Sequence, residues 1–264
     1  MRRSIVVIAA AAALFGAAVP GLLMPRSAVA EAPAEAPAVA DRFVLRPSFT
    51  TSLGPVNAGS AFAVKRGERT VLVTALHLLG PAGGLKAQVE TARLAEVVQS
   101  ISVRGAFTGE GMPPVAVATK ILAVPGAHPM GDDAAGDILV FELAQKTGLD
   151  RLQVRDTPKL APGALAAAAP SVGDAVWLVA KVRGGDDRAH PAKVVQIDDK
   201  WLFYEIHQAD LDLAGTNGAP IVNAAGEVVG IQLGGGVMED GKLVGAANPW
   251  AAVRKALDAA VGGG

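Results

Sequence analysis

Cysteine is absent from the 264-residue chain. That absence excludes a disulfide framework, a thiolate nucleophile, a cysteine-bearing zinc site, an iron–sulfur cluster and a lipid anchor on cysteine. Serine is sparse: the eight serines end at Ser171, and none follows in the last third of the sequence. Neither sign of charge is in excess. Lys and Arg number 24 against 25 Asp and Glu, a net charge of −1, and no Lys/Arg-rich run stands out, so no basic field is present to recruit nucleic acid. What is there is apolar: 51% hydrophobic and 19% charged residues, with 31 Gly and 17 Pro. That is too apolar for a disordered chain, lacks the period of collagen, and suffices for one sizeable core or two small ones.

Part of the apolar excess lies in the first thirty residues. Arg2 and Arg3 precede an unbroken apolar run from Ile5 to Phe15, then the breakers Gly16, Pro20 and Gly21, then Ala28-Val29-Ala30. This pattern is that of a secretory signal peptide over residues 1–30, cut after Ala30, with an uncleaved membrane anchor over Ile5–Met24 as the alternative. Cleavage removes Arg2, Arg3 and Arg26 and no acid, so 24 basic residues become 21 against 25 acids, a net −4. The body is therefore expected to be exported, periplasmic or secreted, with no membrane contact beyond a retained signal anchor.

Residues 31–48 begin with EAPAEAPAVA, a Pro/Ala/Glu repeat expected to form a semi-extended linker. Short β-branched runs then recur between Gly, Asp and Asn. They predict strands at Ala61–Val64, Thr70–Thr74, Val115–Val124, Ile138–Leu143, Val176–Val182, Lys193–Ile197, Trp201–Ile206, Ile221–Val222, Val228–Leu233 and Leu243–Ala246. Many short strands imply a barrel or sandwich. Two stretches have helical character: Gly84–Val98 by composition, and Pro249–Val261 by a proline start, apolar residues at helical spacing and glycines after it. A Pro/Ala/Gly-rich segment from Lys146 to Pro170 divides the body into two parts, 49–145 and 171–248, each the size of a small β-barrel.

Three segments carry chemistry, and their order matters more than any one of them. Gly59-Ser60-Ala61-Phe62 leads into Val73-Thr74-Ala75-Leu76-His77. Gly136-Asp137-Ile138-Leu139-Val140 follows 60 residues after the histidine, and Gly215-Thr216-Asn217-Gly218-Ala219-Pro220 lies a further 80 on, running into Ile221-Val222-Asn223 and Gly226-Glu227-Val228-Val229-Gly230-Ile231. In this order they resemble the signature blocks of the trypsin-like (chymotrypsin-fold) serine peptidases, especially the cysteine-free bacterial exported type. Val172-Gly173-Asp174-Ala175-Val176 is similar to that family's entry to the second barrel. The resemblance covers residues 49–255 and implies an all-β fold: a double six-stranded antiparallel β-barrel with a C-terminal helix at 249–261.

The family's chemistry needs a neutral imidazole bonded to a nucleophile, a buried carboxylate on the other ring nitrogen, and backbone N–H groups facing the developing oxyanion. The resemblance places His77 as the base, Asp137 as its orienting carboxylate, and the Gly215 and Asn217 N–H groups at the oxyanion. The nucleophile position departs from the pattern: it holds Asn217, whose amide is neither acidified by histidine nor an acyl acceptor. The adjacent Thr216 is the one hydroxyl in the motif, and in the family its position points away from the histidine. No other hydrolase motif occurs. By the same alignment Leu211, Leu233, Gly234 and Gly235 border an apolar, uncharged substrate pocket.

The resemblance thus implies an exported pseudopeptidase binding a peptide or protein segment in the inter-barrel cleft. Two alternatives stand beside it: an active endopeptidase using Thr216 with His77 and Asp137, and an exported structural or adhesive module. Asn217-Gly218 also suits a tight turn and is a plausible deamidation sequence. The remaining histidines, His128, His190 and His207, are scattered. The acid pairs Asp132-Asp133, Asp186-Asp187 and Asp198-Asp199 lack calcium-loop spacing, so neither metal nor cofactor is expected.

Overall fold

The computed structural model describes residues 35–108, 113–143, 160–183 and 187–262. The expected signal peptide and most of the dividing segment lie outside the described residues. Thirteen strands are seen. The first seven are β1 (Val44–Thr51), β2 (Ala61–Arg66), β3 (Arg69–Thr74), β4 (Val98–Gly105), β5 (Ala116–Ala118), β6 (Lys120–Leu122) and β7 (Leu139–Glu142). They form one antiparallel sheet in the order β5-β4-β1-β2-β3-β7-β6. The other six, β8 (Ala175–Val179), β9 (Ala189–Ile197), β10 (Leu202–Ile206), β11 (Pro220–Val222), β12 (Val228–Val237) and β13 (Leu243–Asn248), close into a barrel, followed by a C-terminal helix at Trp250–Gly262.

The N-terminal half keeps the six-stranded plan with one strand in two pieces. The strand expected over Val115–Val124 is broken at Thr119 into β5 and β6, which pair at opposite edges of the sheet: Ala118 faces Ile101 of β4, and Lys120 faces Glu142 of β7. A single bent strand therefore joins the two edges, so neither is left free to recruit another chain.

Two further expectations are corrected. The linker assigned to 31–48 ends earlier, because Phe43, Val44 and Leu45 are buried and β1 starts at Val44. Pro47 lies within this strand. A proline donates nothing to a ladder, and β1 tolerates it because pairing to β2 covers only Val44 and Leu45 while β4 pairs along the whole strand. The helix expected over Gly84–Val98 is limited to one 3-10 turn at Thr91–Arg93 and the short α1 (Leu94–Val97); the chain then enters β4. A bulge opposite Thr50 and Thr51 shifts the β4 register and obscures its alternation.

Each half has its own core. Leu45, Phe49, Leu72, Ile101 and Phe141 fill the first, and Val176, Leu178, Leu202, Tyr204 and Ile221 the second. A third cluster lies between them, joining Phe62, Val64, Val73 and Val140 of the first half to Trp177, Val179, Val228 and Ile231 of the second. The C-terminal helix, α2 (Trp250–Gly262), completes it with Val253, Ala256, Leu257 and Ala260, one stripe at helical spacing. Each large apolar side chain so covered contributes about 1.5–3 kcal/mol. Arg69 of β3 donates to the Val261 carbonyl at 2.9 Å, and Arg66 pairs with Asp258, fixing the helix to the first half as well. The segment after the division bridges both halves: Gly163 bonds Ala63 and Lys65, and Ala164 and Ala166 bond Val228.

Candidate active site

His77 sits in a 3-10 turn, Leu76–Leu79, just past β3, where Leu76, Leu78 and Leu79 turn into the apolar interior and leave the imidazole buried at the boundary between the halves. Asp137 lies just ahead of β7 and is fully buried. Its loop is gripped from the other half: Ala134 N–H donates to the Lys200 carbonyl at 3.0 Å, Asn248 Nδ2 donates to the Ala134 carbonyl, and Trp201 Nε1 donates to the Asp132 carbonyl at 3.4 Å.

These supports aim the carboxylate at the histidine. Asp137 Oδ2 lies 2.6 Å from His77 Nδ1 and accepts the Met130 N–H at 3.0 Å, while Oδ1 accepts the His77 backbone N–H at 2.8 Å. An ionised carboxylate only accepts, so the neutral imidazole carries its proton on Nδ1 and presents a lone pair at Nε2. Asn217 Nδ2 lies 2.9 Å from Nε2 and donates to it. The fold thus brings His77, Asp137 and Asn217 into one hydrogen-bonded line. Thr216 is not part of it: its hydroxyl donates to the Leu213 carbonyl at 2.7 Å.

The turn that carries Asn217 is fixed plane by plane. The Gly215 carbonyl accepts from Arg46 Nη1 at 2.6 Å and Ser60 Oγ at 2.9 Å, and the Thr216 N–H on the other side of that peptide donates to Leu213. The Thr216 carbonyl accepts from Ala219 at 2.8 Å. The Asn217 carbonyl accepts from the Ser60 N–H at 2.7 Å, and Gly218 N–H donates to Gln232 at 2.6 Å. Among the described residues, the N–H groups of Gly215 and Asn217 donate to no acceptor. Gly215 and Gly218 have φ of +81° and +88°, the left-handed region open to glycine.

Arg46 was not foreseen. Half-buried on β1, its guanidinium joins the two halves, with Nη1 also donating to the Gly59 carbonyl at 3.1 Å and Nη2 to the Lys181 carbonyl at 2.7 Å. Its partners are all neutral oxygens, and it makes no ion pair among the described residues. Burial draws its pKa below the usual arginine value, but the group remains a cation.

The four residues expected to border the substrate pocket lie on two segments. Leu211 packs into the C-terminal core, whereas Leu233 packs with Ala75, Leu78 and Ala134 beside the His77 turn. A register shift between β12 and β13 falls at Gln232–Gly234, so Leu233 has no partner of its own on β13. Gly234 and Gly235 lie on β12 as expected, and Gly235 lies against Leu213.

Beneath them is a buried polar pair that sequence reasoning missed. The Tyr204 hydroxyl donates to Gln232 Oε1, and Gln232 Nε2 donates to the Gly234 carbonyl at 2.8 Å. Gly245 leaves room for the phenol, since a side chain there would strike it. Burial pushes the Tyr204 pKa well above the ordinary value, so the hydroxyl stays a donor. Tyr204→Phe is expected to cost about 1–3 kcal/mol by stranding the amide oxygen. Combining it with Gln232→Leu should recover part of that loss in chemical denaturation.

Among the described residues no group of three or more His, Asp or Glu is placed to hold a metal. The likeness to known proteins follows the same geometry. A sequence profile of the trypsin-like peptidase domain matches residues 59–231, more than half of the chain. No curated protein matches the chain. The active form of the Rv3671c protease from M. tuberculosis is similar in structure, with a TM-score of 0.50 at 15% identity over 91% of this chain and 94% of that one. The thermostable serine protease AL20 from an extremophilic microorganism gives a TM-score of 0.53 at 13% identity, over 84% of this chain and 98% of that one. At such identities the likeness is one of fold.

Proposed function

The chain belongs to the trypsin-like peptidase family, and from that premise we propose that it is an exported, catalytically inactive member that binds a peptide or protein segment in the cleft between its barrels. The carrying observation is Asn217 Nδ2 at 2.9 Å from His77 Nε2, where a catalytic hydroxyl would stand. The amide nitrogen lone pair is delocalised into its carbonyl, and its protons are far too weakly acidic for an imidazole to remove. Covalent attack is therefore lost, while His77 keeps its bonds to Asp137 and Asn217 beside the Gly215–Asn217 turn. Export is supported by the charged start, apolar run and Ala28-Val29-Ala30 of the N-terminus.

The test is labelling and binding on the purified wild-type protein. A fluorophosphonate should leave it unmodified, and a peptide pool should be retained on it and recovered uncut by mass spectrometry. Covalent labelling or cleavage by wild type would overturn the inactive reading, and retention of no peptide would overturn the binding one.

A further inference from the structure

We infer that the group this cleft recognises is the free C-terminal carboxylate of a peptide, held by the Gly215 and Asn217 N–H groups in front of the Arg46 guanidinium; the inference rests on the cleft being a non-cutting peptide site. A turn of backbone donors stabilises negative charge on oxygen. In a working peptidase that charge appears only after the nucleophile has attacked. Asn217 cannot make the attack, so an internal peptide bond brings nothing but a neutral carbonyl to these donors. A chain-terminal carboxylate brings its charge ready-made, and hydrogen bonds to charged groups are roughly twice as strong as neutral ones.

Three features of the site favour an anion. The Asn217 N–H is aimed by its own peptide plane, whose Thr216 carbonyl accepts from Ala219, and the planes on either side are bonded too; the Gly215 and Asn217 N–H groups have no acceptor among the described residues. Behind them stands the Arg46 charge, balanced by no carboxylate among the described residues, with Nη1 2.6 Å from the Gly215 carbonyl. Third, Asn217 Nδ2 caps the His77 Nε2 lone pair, which would otherwise repel an anion. Of the nearby acids, Asp137 is fully buried and engaged by His77 and Met130, and Asp212 accepts the Ala214 N–H at 2.9 Å and lies 4.0 Å from Arg183.

The experiment is fluorescence polarisation with one hexapeptide library synthesised in three forms: free C-terminal acid, C-terminal amide, and C-terminal amide with glutamate as the last residue. The free acid should bind about tenfold more tightly than either amide, from the difference between charged and neutral hydrogen bonds. Arg46→Met should remove most of that preference, read as the ratio of acid to amide affinity, whatever change in affinity the two forms share through its bond to the Gly215 carbonyl. Should this variant fail to fold, the wild-type comparison decides alone. Equal binding of acid and plain amide overturns the inference while leaving the peptide-binding reading in place. If the glutamate form matches the free acid, the assignment to a chain end is wrong. Binding of none of the three overturns both the inference and the reading beneath it.

Discussion

Asn217→Ser is expected to give peptide hydrolysis on the order of 10³-fold above wild type, together with fluorophosphonate labelling at residue 217. The remaining parts stand around this position: His77 presents its Nε2 lone pair, Asp137 holds Nδ1 at 2.6 Å, and the turn keeps two N–H donors. In subtilisin, loss of the serine alone costs about 2 × 10⁶ in turnover. Recovery here should be smaller for a geometric reason. A serine Oγ stands about where the asparagine Cγ does, one bond further from Nε2 than the present nitrogen, so the hydroxyl starts beyond the ideal reach of the base. His77→Ala in the same background should abolish the gain. Wild-type turnover equal to that of Asn217→Ser would mean that another nucleophile acts, and the inactive reading would fall.

Gly218→Ala should destabilise the fold by about 3–5 kcal/mol, combining left-handed backbone strain with overpacking. Gly218 has φ +88°, and a Cβ there would run into the Ser60 carbonyl and lie 2.5 Å from Thr74 Oγ1. Those groups cannot give way cheaply, because Thr74 Oγ1 donates to that carbonyl at 2.7 Å and the Ser60 N–H is bonded to Asn217. Gly226 is the control. Its φ is +77°, but a Cβ would meet nothing nearer than Pro37 at 3.7 Å, so Gly226→Ala should cost only the conformational part, about 1 kcal/mol. Urea denaturation separates the two. Equal losses would show that the packing of the turn against Ser60 and Thr74 contributes nothing.

The sequence exposed those parts of the fold where chemistry and local conformation coincide. Asp137 stands at the entry of a β-branched strand, His77 just beyond the end of one, and Asn217 in a glycine-flanked turn; the folded chain brings the three into hydrogen-bonding distance. What escaped notice depends on pairing between distant segments. Arg46 lies beside a proline in a strand that looked like linker, and its importance comes from carbonyls 13 and 169 residues away. Gln232 and Tyr204 acquire meaning only through each other. Leu233 packs beside the His77 turn because residues far apart in the chain, Ala75, Leu78 and Ala134, meet there. The helix predicted over Gly84–Val98 is reduced to its end, where Leu94 and Val97 enter the first core and the chain passes directly into β4.

The cluster shared by the two halves bears on the order in which the chain is made. Phe62, Val64, Val73 and Val140 emerge early, yet their covering partners Trp177, Val228, Val253 and Leu257 are synthesised later, the last of them within the final helix. An apolar face of the first half therefore stays open to solvent until residues 250–262 have been made. Vectorial folding, half by half, cannot finish the molecule. A nascent or truncated chain lacking residues 250–262 would present that face to chaperones, proteases and other nascent chains.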